Sequence, residues 1–349
     1  MLFRKALWLI PLLTLGLASA VQSAEPVKIG FVAPVSGTFE KIGRQMQAGA
    51  GIAAEGLGAS LFEQDELCTS AGGTAAANAL VAQKVDIVVG FTCFDSLNAA
   101  LPILRDAGIV TISTSVRADV LTDNKSKTEF LLYRMAPRED MEVAALVSAL
   151  LPRWRSENFA IIDDGTVQAR NTAESLRFAL TESGLKPVFT DTFRPGLDNQ
   201  AALVRRLQKA GATHVFVGGD IEDALVISKA ANGEVEIAVG ETANPESNTE
   251  GAGTILSVAL PDYALIASAT NASIALQRKG IEPENYALTA FAAVEIAAIA
   301  GITSQLSTVK FPTSIGEIAF DGKGDLRSNP FSPVTLTNGK FVAVGPTSQ

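Results

Sequence analysis

Short, almost uninterrupted apolar runs recur along this chain, and each is followed by a segment with helical spacing. They include KIGFVAP at Lys28–Pro34, VDIVVG at Val85–Gly90, GIVTIS at Gly108–Ser113, NFAIID at Asn158–Asp163 and THVFVG at Thr213–Gly218. A strand that is apolar on both faces must be covered on both faces. That is the condition of a parallel sheet with helices on each side. The alternation excludes helix bundles and two-sheet sandwiches as the dominant architecture.

The spacing predicts helices over Gly43–Glu55, Gly73–Gln83, Asp95–Ala107, Glu139–Leu151 (stopped by Pro152), Gln168–Ser183 (ended by Gly184), Gln200–Ala210 and Ile221–Ala231. Further strands are expected at Leu57–Glu63, Lys186–Asp191 and Val235–Val239. The strand–helix grammar runs once to Ser113 and restarts at Glu139, giving two consecutive doubly wound α/β units. The length of 349 residues accords with two domains at roughly 150 residues each. The chain then runs through Ser257–Tyr263, a helix at Ile266–Lys279 and an Ala-rich helix at Tyr286–Ile302. Short β segments at Glu317–Phe320, Pro333–Leu336 and Lys340–Val344 close it. Thr289 and Glu295 inside the Ala-rich run mark it as buried in protein rather than facing lipid. Ligands of such sheets bind beyond the carboxyl ends of strands, so the loops after Val32, Val89, Ile112, Ile162, Val217 and Val239 hold the candidate site.

The first residues carry a different message. Arg4 and Lys5 precede an apolar stretch from Leu7 to Leu17, and Ala18-Ser19-Ala20 fits a small-x-small cleavage rule, with Ala24 a second option. Residues 1–24 therefore read as an export leader, too short in its apolar part for a membrane span of about 20 residues. Its loss removes both cations and takes the net charge from −9 to −11. Cys68 and Cys93, 25 residues apart, then reach an oxidising compartment, where a disulfide is the natural reading and a pair of buried free thiols the alternative. An acidic chain without a basic run is not built for nucleic acid. One histidine, His214, and two cysteines leave little for a metal centre or a Ser-His-Asp triad, so no cofactor, no metal and no catalysis are expected. His214 sits inside an apolar strand pattern and reads as structural, and Asp163-Asp164 as a cap or a solvated loop.

Several pieces in order resemble the type I periplasmic solute-binding proteins, near the leucine/isoleucine/valine-binding group of ABC importers. They are KIGFVAPVSGTFEKIGRQMQAGA from Lys28, DELC at Asp65–Cys68, VDIVVGFTC at Val85–Cys93, GIVTISTS at Gly108–Ser115, FAIIDD at Phe159–Asp164, THVFVGGD at Thr213–Asp220 and FDGKGDLR at Phe320–Arg327. The resemblance covers nearly the whole mature chain, and Cys68 and Cys93 stand where the family has a disulfide. It implies two discontinuous lobes, 25–135 with 261–325 and 136–258 with 329–349, and a three-segment hinge near Ala136, Leu260 and Arg327. It further implies a monomer in the periplasm that binds an amino acid between the lobes and hands it to an inner-membrane ABC permease.

Branched-chain members hold the ligand carboxylate on lobe 1 with hydroxyls and amides, and the ammonium on lobe 2 with a carboxylate and a phenol. At the matching positions this chain has Phe94 followed by Asp95, Arg117 preceded by Ser115, Gln168, Asp220 and Glu241. The swap is coherent: Arg117 can clamp a carboxylate with help from Ser115, and Asp220 and Glu241 can take an ammonium. Each residue also has a structural reading. Arg117 can pair with Asp119, Asp220 can cap the helix from Ile221, Phe94 can pack in the core, Gln168 can be solvated, and Ser36 can cap the first helix. The departures leave open a different ligand, such as an amide, urea or organic acid, or a sensor role.

Overall fold

The computed structural model describes residues 25–300 and 306–344, so the expected leader lies outside the described residues. From the amino end the chain forms β1 (Lys28–Ala33), α1 (Glu40–Leu57), β2 (Ser60–Asp65), α2 (Ser70–Gln83), β3 (Ile87–Gly90), α3 (Phe94–Asp106), β4 (Val110–Ser113), the single turns α4 (Val120–Asp123) and α5 (Lys125–Thr128), and β5 (Leu132–Arg134). These five strands make one sheet, all parallel, in the order β2-β1-β3-β4-β5. The chain continues with α6 (Glu139–Trp154), β6 (Phe159–Asp163), α7 (Val167–Glu182), β7 (Phe189–Thr192), α8 (Ala201–Lys209), β8 (His214–Gly218), α9 (Ile221–Ala231), β9 (Glu236–Val239) and β10 (Ile255–Ala259). Helices α10 (Thr270–Arg278) and α11 (Asn285–Ala300), the hairpin β11 (Lys310–Thr313) and β12 (Gly316–Ala319), and the hairpin β13 (Ser332–Thr337) and β14 (Lys340–Ala343) complete it.

The second sheet has seven strands in the order β14-β13-β10-β9-β8-β6-β7. Its strands from β7 to β10 are parallel, and β13 and β14 join antiparallel at one edge. The wholly parallel expectation thus holds for the first sheet. The second gains its antiparallel edge because β13 returns from the far lobe and a tight turn leads into β14.

Continuous apolar strands are buried as the pattern demands: Ile29, Val32, Ile87, Val88, Val89 and Ile112 are fully buried in lobe 1, and Ile162, Val215, Val217, Ile237 and Val239 in lobe 2. One core of lobe 1 joins residues as far apart as Ile29 and Leu326, because α10 and α11 pack back onto the first sheet. The Ala-rich α11 lies against α1 and buries alanines on most of its sides. Among the described residues, no helix is long and apolar enough to cross a membrane. Cys68 and Cys93 are bonded, tying the loop after β2 to the start of α3 with their Cα atoms 5.1 Å apart. In the chain-entropy view a link of that span contributes roughly 3 kcal/mol.

Several expectations need correction. Helix α6 does not stop before Pro152 but runs to Trp154. Proline in a last turn forfeits one hydrogen bond. Carrying the turn onward buries Trp154 completely, with its ring 5.1 Å from that of Phe159 and 5.9 Å from that of His214. Strand β2 starts at Ser60 rather than Leu57, because α1 extends to Leu57 and ends on Gly58 in the left-handed conformation. The helix expected from Ile266 begins at Thr270, after two 3-10 turns. Strands β5 and β11 and the turns α4 and α5 are unanticipated.

Candidate functional site in the interlobe cleft

Between the two sheets the chain crosses three times: after β5, after β10 and between the Phe320–Leu326 bridge and β13. The carboxyl ends of both sheets face the cleft so formed. Within the second sheet β6 lies between β7 and β8, so the strand order reverses there. That is the place where α/β sheets open a crevice for ligands.

Two cavities meet at Glu241 and Thr242. The first, about 300 Å³, is walled by lobe 2: Asp164, Thr166, Gln168 and Thr172 after β6, Gly219 and Asp220 after β8, Gly240 to Thr242 after β9, and Glu142 from the first turn of α6. The second, about 740 Å³, reaches both lobes on the hinge side. Lobe 1 supplies Thr114, Ser115 and Arg117 after β4, and Asn285, Tyr286 and Thr289 from α11. The crossings supply Met135 to Pro137, Ala259, Leu260 and Tyr263.

Arg117 and Glu241 pair across the cleft at 2.5 Å, each about a quarter exposed. The guanidinium also lies 5.2 Å over the ring of Phe331, which returns with the third crossing. Arg117 therefore does not pair with Asp119, which faces Arg138 at 3.5 Å. Behind Glu241, its backbone N–H donates to Glu142 at 2.8 Å. Burial raises the pKa of Glu142, and the charge of Glu241 adds to that rise, while Arg117 opposes it. Tyr263 feels both Arg117 and Glu241, and burial pushes its phenol up.

The carboxylates of the lobe 2 wall are held by local turns. Asp164 accepts from the N–H of Thr166 at 2.8 Å, and Asp220 accepts from the N–H of Glu222 at 3.0 Å as the N-cap of α9. Glycines leave room for these groups. A Cβ on Gly240 would come within 2.8 Å of the Glu142 carboxylate, and one on Gly219 within 3.0 Å of that of Asp164. Asp163 accepts from the N–H of Gly165 and lies 3.8 Å from Arg170, but α7 is capped by Thr166, so the Asp163-Asp164 pair sits in the loop and caps no helix.

Of the residues singled out from sequence, Ser115, Arg117, Gln168, Asp220 and Glu241 line the two cavities. Phe94 and Asp95 open α3 as exposed residues at the lip of lobe 1 and line neither. Ser36 caps no helix; its hydroxyl donates to Asp65 at 2.5 Å. Beside Phe94 a buried carboxylate went unread. Glu66 is fully buried and accepts from the N–H groups of Thr92 at 2.7 Å and Cys93 at 3.3 Å and from the Ser96 hydroxyl, at the amino end of α3. Burial raises its pKa and those hydrogen bonds oppose the rise. Sequence reasoning also missed Glu142, Asp164 as a cavity residue, Tyr263 and Phe331. A signal existed for Tyr263: only three tyrosines occur in the chain, and it follows a crossing directly.

A family model described as "Periplasmic binding protein" matches residues 26–241. The Leu/Ile/Val-binding protein homolog 3 of Brucella melitensis is 26% identical over 95% of this chain and 96% of its own length. The leucine-, isoleucine-, valine-, threonine-, and alanine-binding protein of Pseudomonas aeruginosa is 26% identical over 91% of each chain. Among solved structures, the ABC transporter substrate-binding protein of Desulfitobacterium hafniense in complex with Leu superposes with a TM-score of 0.70 at 19% identity, covering 92% of this chain and all of that one. With the match spanning more than half of the sequence, and two α/β lobes enclosing a charged cleft, the chain belongs to the periplasmic binding protein family.

Proposed function

We propose that this protein is the substrate-binding component of an ABC importer and that it takes an amino acid in the interlobe cleft. The observation that carries the reading is the opposition of Arg117 on lobe 1 and Glu241 on lobe 2. A zwitterion entering between them gives its carboxylate to Arg117, with Ser115 adding a hydrogen bond, and its ammonium to Glu241, with Asp220 and Gln168 nearby. Each protein charge then exchanges one partner for another, so no charge is left buried and unpaired. Relatives named for leucine, isoleucine and valine support the ligand class.

The lobes, 25–135 with 261–325 and 136–258 with 329–349, close about a hinge near Ala136, Leu260 and Arg327, the standard motion of such folds. The protein works as a periplasmic monomer, its leader removed near Ala20 or Ala24, and delivers its ligand to a permease without chemical change.

The test is a thermal-shift screen of the ligand-stripped mature protein against amino acids, amides and small organic acids. A ligand at 100 times its Kd adds about 2.7 kcal/mol of stability. A shift with zwitterionic amino acids is expected. Shifts confined to amides, urea or organic acids would replace the amino-acid reading with the other ligand class, and no shift with any of them would overturn it.

A further inference from the structure

We infer that Glu142, from the first turn of α6, is a second carboxylate for the ligand's amino group. The inference rests on the amino-acid reading above and concerns how the ammonium end is held. Glu142 comes to the site just after the first crossing and not from a strand end, where ligand-binding loops of such sheets lie. It nevertheless lines the lobe 2 cavity together with Glu241. Its Oε1 accepts from the backbone N–H of Glu241 at 2.8 Å. Gly240 leaves the space for this approach, since a Cβ there would stand 2.8 Å from the same oxygen. The bond occupies one oxygen of Glu142 and leaves the Glu241 carboxylate free to face the cleft.

The charges around the pair point to its occupant. Among the described residues Glu142 has no ion pair, and the cation that acts on it, Arg117, is in contact with Glu241 instead. When Arg117 turns to the ligand's carboxylate, two neighbouring carboxylates on the other wall lose that cation, and each disfavours the charge of the other. An ammonium has three N–H donors on a compact charge, so it can give one to Glu241 and another to Glu142.

A proton linkage follows. Burial raises Glu142 above its ordinary value of 4.5, so it holds a proton in the window just above that value. An ammonium favours the ionised form, and binding then releases the proton. Affinity for an amino acid rises with pH through the window and levels off above it. The charges facing Glu142 are Glu241 after β9, Arg117 after β4 and Glu139 three residues earlier on α6, with Asp164 and Asp220 around the same cavity. Helix α7 offers the uncharged Gln168 and Thr172, and β10 and β13, which also pack on α6, carry no ionisable side chain.

Isothermal titration of the ligand-stripped mature protein with each of the twenty protein amino acids finds the tightest binder. That amino acid and its 2-hydroxy acid analogue, which lacks the ammonium, are the probes. Glu142→Gln keeps an oxygen for the Glu241 N–H and removes the charge. The variant should bind the amino acid more than tenfold more weakly at pH 7.5, with no fall in melting temperature, and the 2-hydroxy acid at least as tightly as wild type. From pH 4.5 to 7.5 the affinity of the wild type for the amino acid should rise more than that of the variant. Equal losses for the two probes would make Glu142 a structural residue and overturn the inference, as would an unchanged amino-acid affinity or equal pH profiles, and each of these leaves the amino-acid reading standing. A wild type that binds no amino acid would overturn both.

Discussion

The two walls of the cleft hold their charges by opposite means. On lobe 1 the charge is a single cation on a loop braced from beneath. Arg134 is wholly buried. It donates to Asp325 at 2.9 Å, to the carbonyl of Ala118 at 2.7 Å and to Thr122 at 2.8 Å, so it grips the loop that carries Arg117. Arg138, in the first crossing, reaches Asp325 at 3.1 Å and Asp119 at 3.5 Å. On lobe 2 several anions stand at strand ends, and Asp164 and Asp220 are each satisfied by an N–H two residues on. One wall is positioned by ion pairs that span 191 residues of sequence, the other by turns that any short segment could form. The loop carrying Arg117 therefore depends on the whole fold, whereas Asp164 and Asp220 depend on their own loops and only Glu241 is tied to a distant element, through Glu142 of α6.

That contrast can be broken first by stability. Asp325→Ala leaves two arginines without their shared carboxylate and should cost about 3–5 kcal/mol, the range for breaking a buried pair. Asp220→Ala removes only a cap and should cost about 1 kcal/mol. Urea unfolding midpoints measure both, and equal losses would erase the distinction.

Affinity gives the next largest effect. Glu241→Gln and Arg117→Gln should each weaken the ligand by about 2 kcal/mol, or roughly thirtyfold, the lower end for truncating one partner of a charge pair. Titration calorimetry that found either variant unchanged would remove that wall from the binding site.

The smallest effect is the pH dependence that Glu142 contributes on the lobe 2 side of the cleft. Burial raises Glu142 above its ordinary value of 4.5. Between 4.5 and the folded value the folded chain holds the extra proton, so this group makes stability fall as pH rises through that window. Glu142→Gln removes the dependence. Its stability gain over wild type should be greatest near pH 7 and shrink toward pH 4.5, and a gain constant with pH would contradict the assignment.

The same division explains what was legible in the sequence. Strands came through because apolar runs are local signals, and Arg117, Asp220 and Glu241 were singled out because each lies in a loop beyond a strand end, at a position matching the binding loops of the resembled family. Strand β5 did not come through: it is three residues long, and its Arg134 looks unfit for a core until Asp325 is brought beneath it. Pro152 misled because its penalty is local while the burial of Trp154 that outweighs it is tertiary. Glu142 was hidden among the acidic residues of the first turn of α6, where the helix dipole already accounts for a carboxylate.

The interleaving of the lobes also sets an order in time. The first core needs α10, α11 and Leu326 before it can close on Ile29, and the second sheet ends with Lys340–Ala343. Neither half can finish from its own early residues, and contacts of such long range are slow to form. While the last strands are still to come, neither lobe can close its core, so the polypeptide stays loosely folded until its carboxyl-terminal segments are available.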